Sequence, residues 1–401
     1  MNRTVKRISL FTLAAVMSFG MLIAPAAEAA SSVPSKSAQK SFVRSSDAFS
    51  VNLFKKCAVH QRSNTVIAPM SVMTALAMTA NGAEGRTLSQ IEKTIAGGKS
   101  INATNRNVHY WYSKLPSTGG ASLKNANSVW YRSSASVSGN FQQTVKDCYG
   151  ADVNAADFSD SSTVNKMNDW VSKATDGKIP SIISSISSED VLYILNAVSF
   201  DAKWDEPYYS NSVKSAYFRQ ENGSRQKIKL MSSDEYCYIS DKNTTGFIKE
   251  YKDGYSFVAL LPRKGITLSK YISNMSGTSF RRLINNRKKA GVAAYLPEFK
   301  TEYSADMNGA LKSMGVKDAF STRADFSGID AVQPVRISGI RHKVYINVTP
   351  EGTTAGAATS VQVPMGPMPI TKTVRLNRPF VYAVTDDSTG LPIFMGAVRN
   401  I

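Results

Sequence analysis

The sequence predicts an α+β fold, in which helix patterns and strand patterns follow one another through most of the 401 residues. Residues 191–200 and 257–262 are apolar nearly throughout, which is typical of strands buried on both faces of a large sheet. Residues 344–348 alternate with a period of two, as a strand with one buried face does. No linker, repeat or low-complexity block marks a domain boundary.

In the N-terminal half, apolar spacing predicts several helices. Residues 49–58 carry apolar side chains at helical spacing. A short strand at residues 64–69 ends in proline and leads into a helix at residues 71–80, which an Asn-Gly pair ends. The other elements predicted in this half are a strand at residues 126–131 and helices at residues 141–149 and 164–174.

The C-terminal half holds more predicted strands. Residues 293–300 indicate a strand, and residues 304–314 a helix that Gly315 ends. The strand of residues 344–348 stops at Pro350. A final hairpin is predicted from residues 374–384, a turn at 386–390 and residues 391–398.

The first residues have the pattern of an export signal. Three basic residues precede an apolar run of about 16 residues, and small residues at a cleavage spacing end at Ala29. A membrane anchor would need about 20 apolar residues, so a removable leader at residues 1–29 is the better interpretation. We therefore expect a secreted protein without membrane association, with a flexible segment at residues 30–42 and a folded part at 43–401. Length alone would allow two or three domains.

The composition is that of a globular protein, with 42% hydrophobic residues, and it is strongly basic, with a formal net charge of +18. Such a charge attracts anionic partners in a salt-dependent way. The basic residues are scattered, so we expect no more than weak polyanion binding. One dense cluster at helical spacing is more often a solvated face than a binding site. It consists of Arg281, Arg282, Arg287, Lys288 and Lys289.

The three cysteines, Cys57, Cys148 and Cys237, are odd in number and far apart. They do not imply a disulfide framework, although one pair plus a free thiol remains open. Three isolated, partly buried thiols are the simpler expectation.

Residues that could carry catalysis are few. An acyl-transfer triad needs a histidine beside an activated serine or cysteine, and none of the three histidines lies in a motif of that kind. Gly98-Lys99-Ser100 resembles the end of a phosphate loop, but Lys93 stands where the first glycine is required. No metal-ligand spacing surrounds the cysteines. We therefore predict that the chain is not an enzyme and uses no cofactor or metal.

The most informative segment follows the strand of residues 344–348. Residues 352–360 are only Gly, Thr, Ala and Ser, and prolines follow at 364, 367 and 369 before the strand pattern resumes at Val374. A flexible linker would have this composition, but an excursion of this length inside one core usually has a function. Because Ala and Gly have poor strand propensity but little bulk, the segment can fit between crowded strands.

These residues resemble the serpins, the suicide inhibitors of serine and some cysteine proteases, over essentially the whole chain after the leader. The small-residue segment looks like the serpin hinge, here Gly352, Thr353, Thr354, Ala355, Gly356, Ala357, Ala358 and Thr359. Pro350 departs from the pattern, because the family commonly has an acidic residue there. Residues 377–380 and 394–396 match the C-terminal signature of the family.

Four further residues match serpin positions around the sheet into which the loop inserts. Ser71 lies at the strand-to-helix junction of the shutter segment, and His342 corresponds to the shutter histidine. Asn196 and Trp204 match the asparagine and the tryptophan that flank the sheet. We interpret the first three as a hydrogen-bonded latch and Trp204 as part of the core, without a catalytic role.

The resemblance implies a serpin fold in a single domain, with a mixed five-stranded central sheet, three β-sheets in all, eight to nine helices and an exposed reactive-centre loop at about residues 350–373. It also implies a mechanism. A protease cleaves the loop and forms an acyl-enzyme, and the loop then inserts as an extra strand of the main sheet before the ester is hydrolysed. Small side chains in the loop favour fast insertion.

The bait bond is predicted from proline chemistry. A proline after the cut is poorly accepted, which excludes the bonds preceding Pro364, Pro367 and Pro369. The bond between Met365 and Gly366 remains, although the spacing commonest in the family would place the cut one residue later. Met365 suits a medium apolar pocket, as in elastase-like or chymotrypsin-like proteases.

The sequence thus predicts a secreted, metastable and monomeric inhibitor that forms a covalent complex with a serine protease. The short leader, together with the bacterial members of the family, indicates a bacterial source. The alternative is a non-inhibitory protein with the serpin fold that binds partners through its basic surface.

Overall fold

The computed structural model describes residues 33–115, 121–187, 189–353 and 369–401. These residues form nine α-helices, and Ser210–Ser212 and Asp318–Phe320 are short 3₁₀ turns. The helices are α1 (Lys36–Ala58), α2 (Pro69–Ala80), α3 (Gly85–Ala96), α4 (Ile101–Tyr112), α5 (Gly139–Tyr149), α6 (Ser162–Ala174), α7 (Leu268–Ser273), α8 (Gly277–Asn285) and α9 (Asn308–Met314).

Fifteen strands are present in the same residues. They are β1 (Thr65–Ile67), β2 (Ser122–Arg132), β3 (Asp152–Ala156), β4 (Leu192–Lys203), β5 (Val213–Arg219), β6 (Arg225–Ser240), β7 (Thr244–Glu250), β8 (Tyr255–Pro262), β9 (Lys288–Pro297), β10 (Phe299–Asp306), β11 (Ile337–Val348), β12 (Gly352–Thr353), β13 (Ile370–Arg375), β14 (Phe380–Asp386) and β15 (Pro392–Val398).

The central sheet has the order β10-β11-β12-β4-β2-β3 and is mixed. Strands β11 and β4 run parallel, as do β2 and β3, whereas β10–β11 and β2–β4 are antiparallel. Five of these strands match the five-stranded sheet that the resemblance implied. The sixth is β12, which contains only two residues of the hinge.

The other strands form one nine-stranded sheet, in which β5 pairs only with β6 and the rest follow the order β1-β15-β14-β8-β7-β6-β9-β13. The resemblance implied three sheets. In the described residues, continuous hydrogen bonding joins the two sheets other than the central one into this nine-stranded sheet. The cause is β6, which is 16 residues long and pairs with β5 and β9 in its first part and with β7 at its end.

The main core lies behind the central sheet, around α2. Every residue of α2 is buried, and Pro69 occupies its first turn, where no backbone donor is needed. A second, smaller core lies on the outer face of β2 and β4, where α6 covers Tyr193 and Leu195 with Met167 and Val171. Strand β4 is therefore buried on both faces along most of its length, as its apolar sequence predicted.

Three boundary predictions were wrong. Helix α1 begins at Lys36, where a flexible segment was predicted, because Ser35 caps it and its inward positions include polar residues such as Asp47 that hide the apolar pattern. The strand predicted at residues 293–300 is two strands, β9 and β10, separated at Glu298. Residues 304–306 belong to β10 and not to the following helix.

The C-terminal hairpin is also smaller than predicted. Strand β13 pairs in parallel with β9 and is not part of the hairpin, which consists of β14 and β15. The cysteines are free, with Cys57 and Cys148 buried and Cys237 half-buried. Among the described residues, no helix is long and apolar enough to cross a membrane, and no group of His, Cys, Asp or Glu is arranged to hold a metal.

Candidate functional site at the centre of the main sheet

The two middle strands of the central sheet, β4 and β11, are paired along part of their length only. Parallel pairing runs from Ile337 opposite Leu192 to Tyr345 opposite Ser199. Beyond that point β12 lies between the strands, antiparallel to both, with Thr353 opposite Val348 on one side and Ala202 on the other. The first residues of the predicted hinge therefore already occupy a position between the two strands.

The entry into this position depends on close backbone contact. A Cβ atom on Gly352 would lie 2.1 Å from the carbonyl oxygen of Ala202, so only glycine fits here. Thr353 is fully buried, and its hydroxyl lies 2.6 Å from the hydroxyl of Tyr251. Burial raises the pKa of Tyr251 far above its usual value, so both hydroxyls stay neutral.

Trp204 holds the turn that leads into β12. Its indole N–H donates to the carbonyl of Thr349 at 2.9 Å, and its backbone N–H donates to the carbonyl of Glu351 at 3.0 Å. The carbonyl of Pro350 accepts from the backbone N–H of Tyr208 at 2.9 Å. The Trp204 ring is fully buried and stacks on Tyr251, with centroids 4.1 Å apart and planes at 11°. These contacts fix residues 349–353 against an aromatic cluster.

A buried ion pair that the sequence analysis did not find supports this cluster. The ammonium of Lys249 lies 2.9 Å from Glu235 Oε1, with only 2% of the lysine side chain exposed. The same nitrogen lies 4.6 Å from the centre of the Tyr208 ring and 5.6 Å from that of Trp204. Burial raises the pKa of Glu235, and the Lys249 charge opposes that shift. The ion pair thus lies against the rings of Trp204 and Tyr208, which contact residues 349–351.

Where β4 and β11 are still paired, a second cluster joins them to α2. His342 is fully buried, and its Nδ1 lies 2.7 Å from Oδ1 of Asn196. Its Nε2 accepts from the backbone N–H of Ala68 at 3.1 Å. Nε2 is thus an acceptor, so the proton is on Nδ1, which donates to Asn196. Burial lowers the pKa of His342 to about 3, and the ring is neutral.

The hydrogen bonds continue from Asn196 into α2 and β2. The Asn196 amide donates to Oδ1 of Asn127 at 2.6 Å and to the hydroxyl of Ser71. Ser71 in turn donates to Asn125, and Asn125 donates to Tyr112. Each group in this series accepts one hydrogen bond and donates the next, so each bond polarises and strengthens its neighbour. The chain connects α2, β2, β4 and β11.

The structure brings Ser71, Asn196 and His342 together, and it places Gly352, Thr353 and Trp204 at the end of the sheet where β4 and β11 part. The remaining hinge residues, Thr354, Ala355, Gly356, Ala357, Ala358 and Thr359, and the bait residues Met365 and Gly366 lie outside the described residues. The leader at residues 1–29 lies outside them as well.

The basic cluster predicted around α8 is not a uniform surface. Arg281 forms a bidentate pair with Asp47, at 2.7 and 2.8 Å, and donates to the carbonyl of Thr389. Its charge therefore supports the packing of α8 on α1. Arg287 bonds the carbonyl of Ile284 at the end of the helix, and Lys288 and Lys289 are exposed.

Comparison with known proteins agrees with this architecture. The family model for serpin (serine protease inhibitor) matches residues 44–401. The chain is 43% identical to the thermophilic serpin tengpin in the native state, with a TM-score of 0.85, over 90% of this chain and 94% of that one.

Curated relatives give the same result at lower identity. A serpin-like protein of Thermococcus kodakarensis is 28% identical over 90% of this chain and 86% of its own length. Human alpha-1-antichymotrypsin is 27% identical over 88% and 86%. The chain belongs to the serpin family and has the serpin fold, which confirms the predicted family and fold class. Serpins are generally inhibitors of serine proteases and not catalysts.

Proposed function

We propose that this chain is an irreversible inhibitor of serine proteases that works by inserting its own cleaved loop between β4 and β11. The observation that carries the proposal is β12, because Gly352 and Thr353 are already hydrogen-bonded between the two strands. An inhibitor that adds a strand to its sheet needs such a starting point, from which pairing can extend residue by residue.

The register of β12 indicates what further insertion would do. Continued along both strands, it would place Thr359 opposite His342 and Asn196, which are partners of each other now. The side chains on the same face as buried Thr353 would be Ala355, Ala357 and Thr359, since side chains alternate along a strand. All three are small, so the strand can enter the core side of the sheet. Insertion would separate His342 from Asn196, and the Thr359 hydroxyl could then form a hydrogen bond in place of the one between them.

The proposed target is an elastase-like or chymotrypsin-like protease that cleaves between Met365 and Gly366. The support is chemical: three prolines exclude the neighbouring bonds, and methionine suits a medium apolar pocket. The protease serine would form an ester with the Met365 carbonyl and release the amino group of Gly366. Loop insertion would then carry the acylated protease away from the cleavage site and distort it before water can attack the ester.

Mixing the protein with an elastase tests this function. A complex that survives denaturing electrophoresis, together with release of the peptide 366–401, is the expected result. The mass of that peptide identifies the cut and would show directly whether it follows Met365 or Gly366. Clean cleavage without a complex would instead favour a non-inhibitory binding protein.

We further propose that the protein is exported and acts as an extracellular monomer. The support is the leader pattern of residues 1–29. Sequencing the N-terminus of protein recovered from the culture medium tests the proposal, with a start near Ala30 expected. Retention of the whole protein in the cell would contradict it.

A further inference from the structure

The reactive loop rejoins the fold at one end of the nine-stranded sheet. Strand β13 begins at Ile370 and pairs in parallel with β9, so that Ile370 lies opposite Gly291. The backbone of Pro369 also lies on this glycine, because a Cβ atom on Gly291 would be 2.5 Å from the Pro369 carbonyl oxygen. The loop therefore enters the sheet along the edge of β9.

Two lysines lie at this end, on the side from which the loop arrives. Because β9 and β13 are parallel, Lys288 and Lys289, which precede Gly291, extend past the start of β13. The neighbouring strand β6 is antiparallel, and there Tyr238 lies opposite Lys288 and Cys237 opposite Lys289. The register thus places both lysines beside the point where the loop joins the sheet.

The positive charge at this end is not used within the fold. Lys288, Lys289 and Lys372 are exposed. In the part of the chain that the structure describes, none of the three forms an ion pair, whereas Lys229, nearer the other end of β6, pairs with Glu298 at 3.4 Å. Strands β9 and β13 contain no acidic residue. These lysines are therefore free to meet a partner that carries negative charge.

Two large apolar side chains are exposed among the lysines. Ile370 is 44% exposed and Tyr236 is 40% exposed. The irregularity between Glu235 and Cys237 places Tyr236 level with residues 290–291 of β9, and so level with Ile370. Tyrosine is enriched where binding energy concentrates in protein–protein contacts, and the rim of such contacts is polar. An apolar pair bordered by charges has this composition.

The bait bond lies within reach of these residues. Met365 is four residues before Pro369, and four residues span at most about 14 Å. A protease domain of about 240 residues has a radius of gyration of about 18 Å. A protease bound at Met365, or one residue later, must therefore lie against this end of the sheet.

We propose that the loop-end surface, formed by Tyr236, Lys288, Lys289, Ile370 and Lys372, is a docking surface for the target protease. It selects enzymes that carry acidic side chains beside the part of the cleft that binds residues after the cut. The inference rests on the proposed inhibitory function and adds the chemistry of the partner. Opposite charges across the contact would accelerate encounter and leave the chemistry at the bait bond unchanged.

Association rates with an anionic and a cationic elastase test the proposal. The triple variant Lys288→Gln, Lys289→Gln, Lys372→Gln should associate about tenfold more slowly with the anionic enzyme at about 0.15 M salt, and the loss should shrink as salt rises. With the cationic enzyme the rate should not fall. The three side chains are exposed, so the variant should fold normally. The number of inhibitor molecules consumed per protease should not change, because insertion takes place between β4 and β11 in the other sheet.

A matched control removes the same charge from the far end of the same sheet. Arg219, Arg225 and Lys227 are exposed on the hairpin of β5 and β6, and Lys227 is nine residues from Tyr236 along β6, or about 30 Å. Charges are screened beyond about 8 Å at about 0.15 M salt. Changing these three residues to Gln should therefore alter the association rate less than about twofold.

Equal losses in the two triple variants, or equal losses with the two elastases, would overturn the docking surface. So would heparin binding that the first triple variant abolishes while its protease rates stay unchanged, because the lysines would then serve a polyanion. Absence of a complex between the unaltered protein and either enzyme would instead refute the inhibitory function itself.

Discussion

The central sheet is held together in two places by different chemistry. The central latch, formed by Ser71, Asn196 and His342, uses neutral hydrogen bonds between strands that are still paired. The end latch, formed by Trp204, Tyr251, Lys249 and Glu235, uses stacked rings and a buried ion pair where the hinge already lies between the strands. In the proposed mechanism the central latch would therefore break during insertion, whereas the end latch would hold the residues that already lie between the strands.

This difference has a physical reason. The hydrogen bonds of the central latch join neutral groups, so breaking one of them costs only about 1 kcal/mol. A threonine hydroxyl from the inserting strand can replace a broken bond. A buried ion pair has no such substitute, because removing one charge leaves the other unpaired in a medium of low polarity. The proposed mechanism thus places the exchangeable contact where β4 and β11 are still paired and would have to separate. It places the permanent contact where the two strands are already apart.

The largest effect is expected at Thr353, where the hinge meets the end latch. Thr353→Arg would place a charged, bulky side chain into a fully buried site against Tyr251. Burial of an unpaired charge costs several kcal/mol, so insertion would become slower than ester hydrolysis. We expect the protein to become a substrate, with at least about ten molecules consumed per protease trapped. Thr353→Ser keeps the hydroxyl and serves as the control. Unchanged trapping by the arginine variant would refute the insertion mechanism.

The second prediction separates the two charges of the end latch. Lys249→Met should lower the free energy of unfolding by about 3–5 kcal/mol, because Glu235 is left charged and buried. The double variant Lys249→Met, Glu235→Met should recover most of that loss, since no charge then remains. Urea unfolding of the wild type, both single variants and the double variant measures the coupling. If the single and double variants were equally destabilised, the ion pair would not be the stabilising feature.

The two latches also differ in how far the sequence predicted them. Ser71 and Asn196 stand in segments whose helix and strand patterns were predicted correctly. His342 lies in the part of β11 that precedes the predicted strand at residues 344–348, so only the resemblance located it. Lys249 and Glu235 lie on different strands, and their meeting depends on an irregularity of β6 between Glu235 and Cys237 that no periodicity reveals. The pattern in β7 shows a lysine after two apolar residues, which is compatible with an exposed position.

Elsewhere the misses have similar causes. Helix α1 was predicted too short because Ser46, Asp47 and Ser50 occupy inward positions that apolar spacing requires. The hinge was found because small residues crowded into nine consecutive positions need no tertiary information to be noticed.

The third prediction tests the central latch through pH. The pKa of His342 is about 3 in the folded protein and about 6.5 in the unfolded chain. Below pH 6.5 the unfolded chain therefore binds a proton that the folded protein does not bind until about pH 3. The stabilisation is complete above pH 6.5 and is lost by up to about 1.4 kcal/mol per pH unit as the pH falls.

The variant His342→Gln isolates this contribution. Glutamine offers one donor for Asn196 and one acceptor for the Ala68 N–H but does not titrate in this range. The difference in unfolding free energy between wild type and variant should shrink steadily from pH 6.5 toward pH 4. Other buried acids, such as Glu235 with its raised pKa, cancel in that difference. A difference independent of pH would mean that the imidazole is protonated in the folded state.

The smallest effect is expected from Trp204→Phe, which keeps an aromatic ring in the stack and removes the hydrogen bond to the Thr349 carbonyl. The loss should be about 1–2 kcal/mol of unfolding free energy. Trp111→Phe is a matched control, because the Trp111 indole N–H is also buried and donates to Asp386 at 3.3 Å, away from the hinge. Both variants should unfold at lower urea concentration, but only Trp204→Phe should change the number of inhibitor molecules consumed per protease. If both variants changed that number equally, the end latch would contribute general stability and would not position the hinge.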